Sequence, residues 1–332
     1  MPNTKEEIIF EPRNNYNHEP NESILYDVII IGTGVAGLAS GMYAARLGLK
    51  TLVIGEVPGG TIALTGTVEN YPGFVSIDGQ KLAQLIENHA MDYDVDILTD
   101  IVEKISVKKS EKEIFTVHLE KKAFNSKTII FATGTKVKKL GVPGEKEFFG
   151  KGVYYCALCD ANHVKNKIIA VIGGGDSAVK EANLLTGYAK KIYIINNEEE
   201  LHPEFSNSKK LQENIQKNKI EVINSIEVKE IKGKDSVEKV VFNKPYKGST
   251  ELKLEGVFIY IGLTPLSKLA DDIKVNLNAK GEVIINQRSE TNIPGFYAIG
   301  DVTNTEWKQA IIGVSQGVTA AYYAHEYINK YF

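Results

Sequence analysis

The chain has two cysteines, and they stand three apart in Tyr154-Tyr155-Cys156-Ala157-Leu158-Cys159-Asp160. Thiols at that spacing can close a small, readily reduced disulfide. The spacing also lowers the pKa of one thiol, and the thiolate is the attacking species in exchange. Asp160 follows directly and could supply or take the proton that exchange requires. Two other readings of the same residues stay open. His163, four residues beyond Cys159, could complete half of a zinc site, although structural zinc takes four ligands. The cysteines could also be buried spectators.

What would position such a pair is legible on both sides of it. Upstream, Val28-Ile29-Ile30-Ile31 reads as a strand buried on both faces of a parallel sheet. It runs into Gly32-Thr33-Gly34-Val35-Ala36-Gly37 and then a helical stretch to about Leu47. In this G-x-G-x-x-G, Gly32 allows the tight turn, Gly34 lets the backbone approach a pyrophosphate, and Gly37 lets helix and strand pack closely. The helix N-terminus then faces the anion. A second strand, Thr51-Leu52-Val53-Ile54, leads to Glu56, near the place where an acid binds a ribose. Another apolar strand, Thr128 to Ala132, ends in Thr133-Gly134-Thr135. Downstream of the cysteines the pattern returns. Strand Lys167 to Ile172 opens into Gly173-Gly174-Gly175-Asp176-Ser177-Ala178 and a helix to about Leu185. Its second strand, Lys191 to Ile195, ends in Asn196-Asn197-Glu198-Glu199-Glu200. Ribose specificity is set there: an acid favours a free 2′-hydroxyl and an arginine a 2′-phosphate. No arginine is present.

The remaining segments read as scaffold. Residues 95 to 120 alternate like short antiparallel strands, and residues 220 to 260 read as strands with turns at Lys232 to Asp235 and Lys247-Gly248. Leu254 to Gly262 is apolar and buried. A long helix from about Lys308 to Lys330 closes the chain, its Gly313, Gly317, Ala320, Ala321 and Ala324 permitting close packing. Residues 1 to 25 are polar and read as a flexible arm. The length of 332 residues implies roughly two domains. A net charge of −3 gives no field for nucleic acid or anionic membrane. No apolar run approaches the roughly 20 residues that span a bilayer, and two cysteines cannot staple a chain this long. A reducing compartment, the cytoplasm, is expected.

Four motifs in this order make the chain resemble the low-molecular-weight thioredoxin reductase family from about Tyr26 to the C-terminus. They are Gly32 to Gly37, Cys156 to Asp160, Gly173 to Ala178, and Thr291-Asn292-Ile293-Pro294-Gly295-Phe296-Tyr297-Ala298-Ile299-Gly300-Asp301. The resemblance implies an α/β fold of two Rossmann-like nucleotide-binding domains, the second inserted in the first. It places an FAD domain at 26–134 and 257–332 and the insert with the redox pair at 135–256. It implies FAD on the first loop, with Gly60, Thr61, Asn70, Thr133, Gly134 and Gly300 beside it and Asp301 on the ribityl chain. Lys308-Gln309-Ala310 stands where the family has Arg-Gln-Ala, which puts Gln309 at the flavin edge. Cys159 would be the thiol facing the flavin, Cys156 the one attacking the partner disulfide, and Asp160 the general acid. Because the FAD motifs flank the insert, disulfide and nicotinamide would reach one flavin from the same mobile domain, hinged near Gly134 and Gly256.

The departures concern the electron donor. The family's His-Arg-Arg and a further arginine, which hold the NADPH 2′-phosphate, are replaced by Asn196, Asn197, Glu198 and His202. Thr61 replaces a glutamine and Lys180 a glutamate. Losing two or three charged hydrogen bonds at roughly 1.5–3 kcal/mol each weakens binding hundreds-fold or more. The expectation is a flavoprotein reducing a thioredoxin- or glutaredoxin-like protein, as a homodimer, with NADPH disfavoured. NADH held by Glu198, a ferredoxin or a deazaflavin would serve as donor. The rivals are a dithiol oxidase passing electrons to oxygen and a non-catalytic FAD redox sensor.

Overall fold

The computed structural model describes residues 19–332 except 65, 66, 69 and 109–111, with Thr67, Leu158 and Cys159 described by backbone alone. Most of the expected N-terminal arm therefore lies outside the described residues. The chain forms two compact units. One comprises the chain up to Thr135 together with Pro265–Phe332, and the other is Lys136–Thr264.

In the first unit, a sheet runs in the order Asp96–Thr99, Thr51–Gly55, Leu25–Ile31, Ala123–Phe131, Ile114–His118, Lys104–Lys108. Its parallel centre is buried as the unbroken apolar runs require. Ile30 faces Val53 on one side and Ile130 on the other, all three with no exposed surface. Ala123–Phe131 is shared. Its first half pairs antiparallel with Ile114–His118, and its last three residues pair in parallel with Phe296–Ala298. That pairing carries the C-terminal segment back onto the first unit and sets Gly300-Asp301 at a strand end. Helix Val35–Arg46 lies along the final helix, Ala310–Tyr331. The contact is close because the final helix offers glycine: a Cβ on Gly317 would stand 2.8 Å from the Ala36 carbonyl oxygen.

The second unit holds an all-parallel sheet, Val153–Tyr154, Val257–Ile259, Ile168–Ile172, Lys191–Ile195 and Ile220–Ile223. A three-stranded antiparallel sheet, Val228–Gly233, Val237–Tyr246 and Ser249–Lys253, adds to it. The last hairpin turns at Lys247-Gly248, both with positive φ, as a two-residue turn demands. The segments where the chain leaves and re-enters the first unit, Thr135–Val137 and Leu263–Pro265, pair with each other.

Two sequence expectations are corrected. The insert ends at Thr264 rather than at residue 256, because Val257–Ile259 is a central strand of its own sheet. Asp96–Thr99 is parallel, continuing the first sheet beyond Thr51–Gly55, and antiparallel pairing begins only at Lys104.

Individual glycines of the two loops differ in how much room they leave. A Cβ at Gly37 would collide with the Gly32 carbonyl oxygen, whereas nothing lies within 4 Å of one at Gly175, where φ is an ordinary −81°. Gly37→Ala should therefore lower the unfolding free energy by about 1–3 kcal/mol, while Gly175→Ala should cost well under that. Urea unfolding of both variants checks this, and equal midpoints would contradict it.

Candidate active site

In the first unit, the loop after Leu25–Ile31 is shaped by Gly32, at φ +124°. Thr33, buried, donates its hydroxyl to the Val57 carbonyl at 2.8 Å, and Gly34 bridges to Gly59. A Cβ on Gly60 would stand 2.8 Å from Gly34 Cα, so this glycine pair lies directly on the loop. Helix Val35–Arg46 begins with Gly34 as N-cap, without a side-chain cap and without an acid in its first turn. Its first N–H groups and positive end are thus kept for an anion. Glu56 is exposed where Thr51–Gly55 ends.

The C-terminal part supplies an acid. Gly300, at φ +72°, donates its N–H to Gln316 Oε1 at 2.7 Å. Lys308 Nζ donates to the carbonyls of Asp301 (3.0 Å) and Thr303 (2.8 Å) and pairs with Glu282 at 2.8 Å. Lys308, expected among the cofactor ligands, thus has its ammonium engaged by protein and ties down the loop that carries Asp301. Burial pushes the Asp301 carboxyl up, with Lys308 pulling the other way. Among the described residues no protein hydrogen bond reaches that carboxylate, which suits a hydroxyl-bearing ligand. Asn70 Nδ2 donates to Gln309 Oε1 at 2.7 Å, so Asn70, expected beside the flavin, and Gln309, expected at its edge, meet just where the helix from Ala310 begins. Thr133 and Gly134 both bond Leu266, Thr133 through its hydroxyl and Gly134 through its carbonyl. Thr61 lies exposed on the short helix Gly60–Ala63. A glycine loop able to take a pyrophosphate at one strand end and a partly buried acid at another fit FAD.

In the second unit, Cys156 is disulfide-bonded, and the chain's other cysteine is Cys159. Cys156 follows strand Val153–Tyr154 and precedes the short helix Ala157–Asp160. The Ala157 N–H donates to Tyr260 Oη at 2.6 Å. Burial pushes the Asp160 carboxyl above its ordinary value, and His163 at 3.9 Å pulls it down. A raised carboxyl keeps its proton more readily, as a general acid needs. No His/Cys/Asp/Glu cluster able to hold a metal occurs among the described residues.

Two residues with roles here were not assigned from sequence. Tyr260 is one and Glu145 is the other. Glu145 is only 6% exposed and accepts hydrogen bonds from Leu140 N (2.8 Å), Gly141 N (2.6 Å) and Tyr155 Oη (2.6 Å). Lys139 Nζ stands 3.5 Å from the Tyr155 ring centroid. Tyr155 adjoins Cys156, so Glu145 anchors the cysteine segment to the 139–145 loop. An acid that follows a Gly-Val-Pro-Gly turn has no periodicity to betray such a role.

The second glycine loop is furnished differently. Gly173 is at φ +138°, yet Asp176 sits in the first turn of its helix, Asp176–Leu185. Asp176 Oδ1 accepts from Glu204 N and Asn207 Nδ2, each at 2.8 Å. Asn196 is buried and spent on its own loop. Its amide donates to the carbonyls of Glu200 (2.7 Å) and Glu198 (3.3 Å), and its Oδ1 accepts from Glu198 N. A Cβ on Gly174 would collide with it. Glu198 pairs with His202 at 3.0 Å, both well exposed. Ser177 and Ala178 continue the helix, Ala178 in the core.

Burial alone would push Glu145 up. The bonds from Tyr155, Leu140 and Gly141 and the Lys139 charge outweigh it, so its carboxyl lies below the usual range. Stability from such a group is present above the unfolded value of about 4.3 and fades as pH falls through the folded value. Glu145→Gln should thus cost about 1–3 kcal/mol at pH 7, with the gap to wild type closing below about pH 4. Urea midpoints across pH check this; a gap that does not change with pH would contradict it.

Residues 26–317 match the family model described as "Pyridine nucleotide-disulphide oxidoreductase". The chain is 40% identical to the "34.2 kDa protein in rubredoxin operon" of Clostridium pasteurianum, over 91% of this chain and 97% of that one. It is 37% identical to the thioredoxin reductase of Bacillus subtilis, over 93% and 97%. The crystal structure of Lactococcus lactis thioredoxin reductase superposes with a TM-score of 0.84 at 34% identity, covering 92% and 99%. With its two Rossmann-like units and its disulfide-bonded Cys156, the chain belongs to the pyridine nucleotide-disulphide oxidoreductases, as a thioredoxin reductase-like flavoprotein.

Proposed function

We propose that the protein reduces the disulfide of a thioredoxin-like protein through a Cys156–Cys159 pair and draws its electrons from a donor other than NADPH. FAD, when bound, supplies a carrier that accepts two electrons and hands them to the pair. The rest is done by the chain. In the dithiol form, the Cys156 thiolate attacks the partner disulfide; a mixed S–S bond forms and one partner sulfur leaves as thiolate, taking its proton from Asp160. Cys159 then attacks Cys156, releasing the second partner thiol and restoring the internal disulfide. Electrons thus pass as one pair from dithiol to disulfide. The paired crossings Thr135–Val137 and Leu263–Pro265 are where motion of the insert would be absorbed.

The observation that carries the donor part is the strand end at Asn196. A 2′-phosphate bears most of two negative charges and is held by cationic forks. Here Asn196 is turned into its own loop and Glu198 occupies His202. Asp176 adds a carboxylate at the helix start, where the first loop has none. This supports two donors: NADH, with Glu198 on its ribose diol, or a ferredoxin or deazaflavin needing no nucleotide seat. The bonding of Asn196 favours the second, since it removes one polar group from any diol site.

Two experiments test the proposal. Cys156→Ser should leave a thiolate beside the flavin and give a long-wavelength charge-transfer band, and Cys159→Ser should not. Both should abolish thioredoxin reduction; activity retained in either would sink the dithiol mechanism. In steady-state assays with a thioredoxin, NADPH should be a poor reductant. A micromolar KM for NADPH would refute the donor assignment, and efficient NADH turnover lost in Glu198→Ala would decide for NADH.

A further inference from the structure

The surface beside Cys156 carries a feature that the electron-transfer chemistry does not use. Phe149 is 62% exposed, yet backbone holds it firmly. It bridges to Val153, at the start of the strand leading to Cys156, and Gly150 N donates to Val153 O at 3.1 Å. Its ring lies 5.8 Å from that of Tyr155. Lys139 Nζ covers both, 3.5 Å from the Tyr155 centroid and 5.5 Å from that of Phe149. Tyr155 is in turn pinned by Glu145. The result is a cation–aromatic cluster on the segment that leads to the disulfide-bonded residue.

Charge along the same stretch is one-sided. Lys136, Lys138, Lys139, Lys146 and Lys151 are all exposed. Of the two acids between them, Glu145 is buried with its oxygens spent, which leaves Glu147 as the exposed acid. This is a local reversal in a chain of net charge −3. Exposed aromatics ringed by charge are the usual anchors of protein interfaces, and complementary charge governs how fast and with whom they form.

Resting on the disulfide-reductase reading, we infer that Lys139, Phe149 and Tyr155 form the docking face for the protein substrate, and that this face selects partners whose reactive disulfide is rimmed by acidic residues. Phe149 would seat against apolar surface beside the partner disulfide, and Lys139 would meet its carboxylates.

The test uses holoenzyme reduced anaerobically with dithionite, which removes any dependence on the natural donor. It is mixed with one of two probes: a thioredoxin whose disulfide has an acidic rim, or the same thioredoxin with those acids changed to lysine. For wild type, the acidic-rimmed probe should react faster and lose its advantage as salt rises. Lys139→Glu should reverse that order, reacting slowly with the acidic rim and recovering with the lysine rim, which shows that the variant is intact. Phe149→Ala should raise the half-saturating concentration about tenfold, the scale of a lost anchor, with the limiting rate kept. The docking face is overturned if Lys139→Glu keeps wild-type preference and Phe149→Ala keeps wild-type saturation. It is also overturned if wild type reduces 5,5′-dithiobis(2-nitrobenzoic acid) but neither thioredoxin. Failure of wild type to reduce any of the three disulfides overturns the disulfide-reductase reading itself.

Discussion

Glu145 is a carboxylate at 6% exposure, and burial on that scale costs several kcal/mol unless donors compensate. Two backbone N–H groups and the Tyr155 hydroxyl do so. Meeting that requirement fixes the geometry around it. The 139–145 loop, just past the crossing from the first unit, and the residue before Cys156 converge on the same two oxygens. The redox segment is therefore held by polar chemistry on one side and by the apolar core on the other. There Val153, Phe258 and Ala157 are buried, and Tyr260 caps the Ala157 N–H. The helix that follows Cys156 is only four residues long and has little packing of its own, and these ties hold the segment in place.

The two glycine loops show how one local fold serves different ends. Both follow a buried parallel strand and open a helix, and both use a first glycine at positive φ. The first leaves its helix start without acid or side-chain cap, against a Gly59-Gly60 pair that lets backbone come close. The second has a carboxylate in its first turn and an asparagine consumed within the following loop. The packing role of the motif is kept in both, while the electrostatic role is strong only in the first. A glycine signature by itself thus reports a strand–helix turn, and the charges around it report the ligand.

Much of this was legible in the sequence for physical reasons. Unbroken apolar runs such as Val28 to Ile31 can be buried only between two neighbours, and glycine spacing marks turns that a side chain would obstruct. The Cys-x-x-Cys spacing announces thiol chemistry. What escaped depended on tertiary partners. Val257–Ile259 is apolar enough for either sheet, and only its pairing with Ile168–Ile172 and Val153–Tyr154 shows that it belongs to the insert. Lys308 reads only as the start of the Lys-Gln-Ala match, and the fold brings Glu282, 26 residues earlier in the chain, to its ammonium. Asn196 reads as a strand-tip polar group open to a ribose, and the structure turns it inward. Glu145 and Tyr260 sit in stretches whose pattern is set by other constraints.

The central claim is that a flavin and a disulfide act in series within one chain. Anaerobic titration of the purified protein with dithionite, followed by flavin absorbance, tests it most directly. If the disulfide is in redox communication with FAD, complete bleaching consumes two equivalents of dithionite per flavin in the wild type and one in the Cys156→Ser variant. Complete bleaching of the wild type by a single equivalent, identical to the variant, would show that the disulfide takes no electrons through the flavin and would contradict the account.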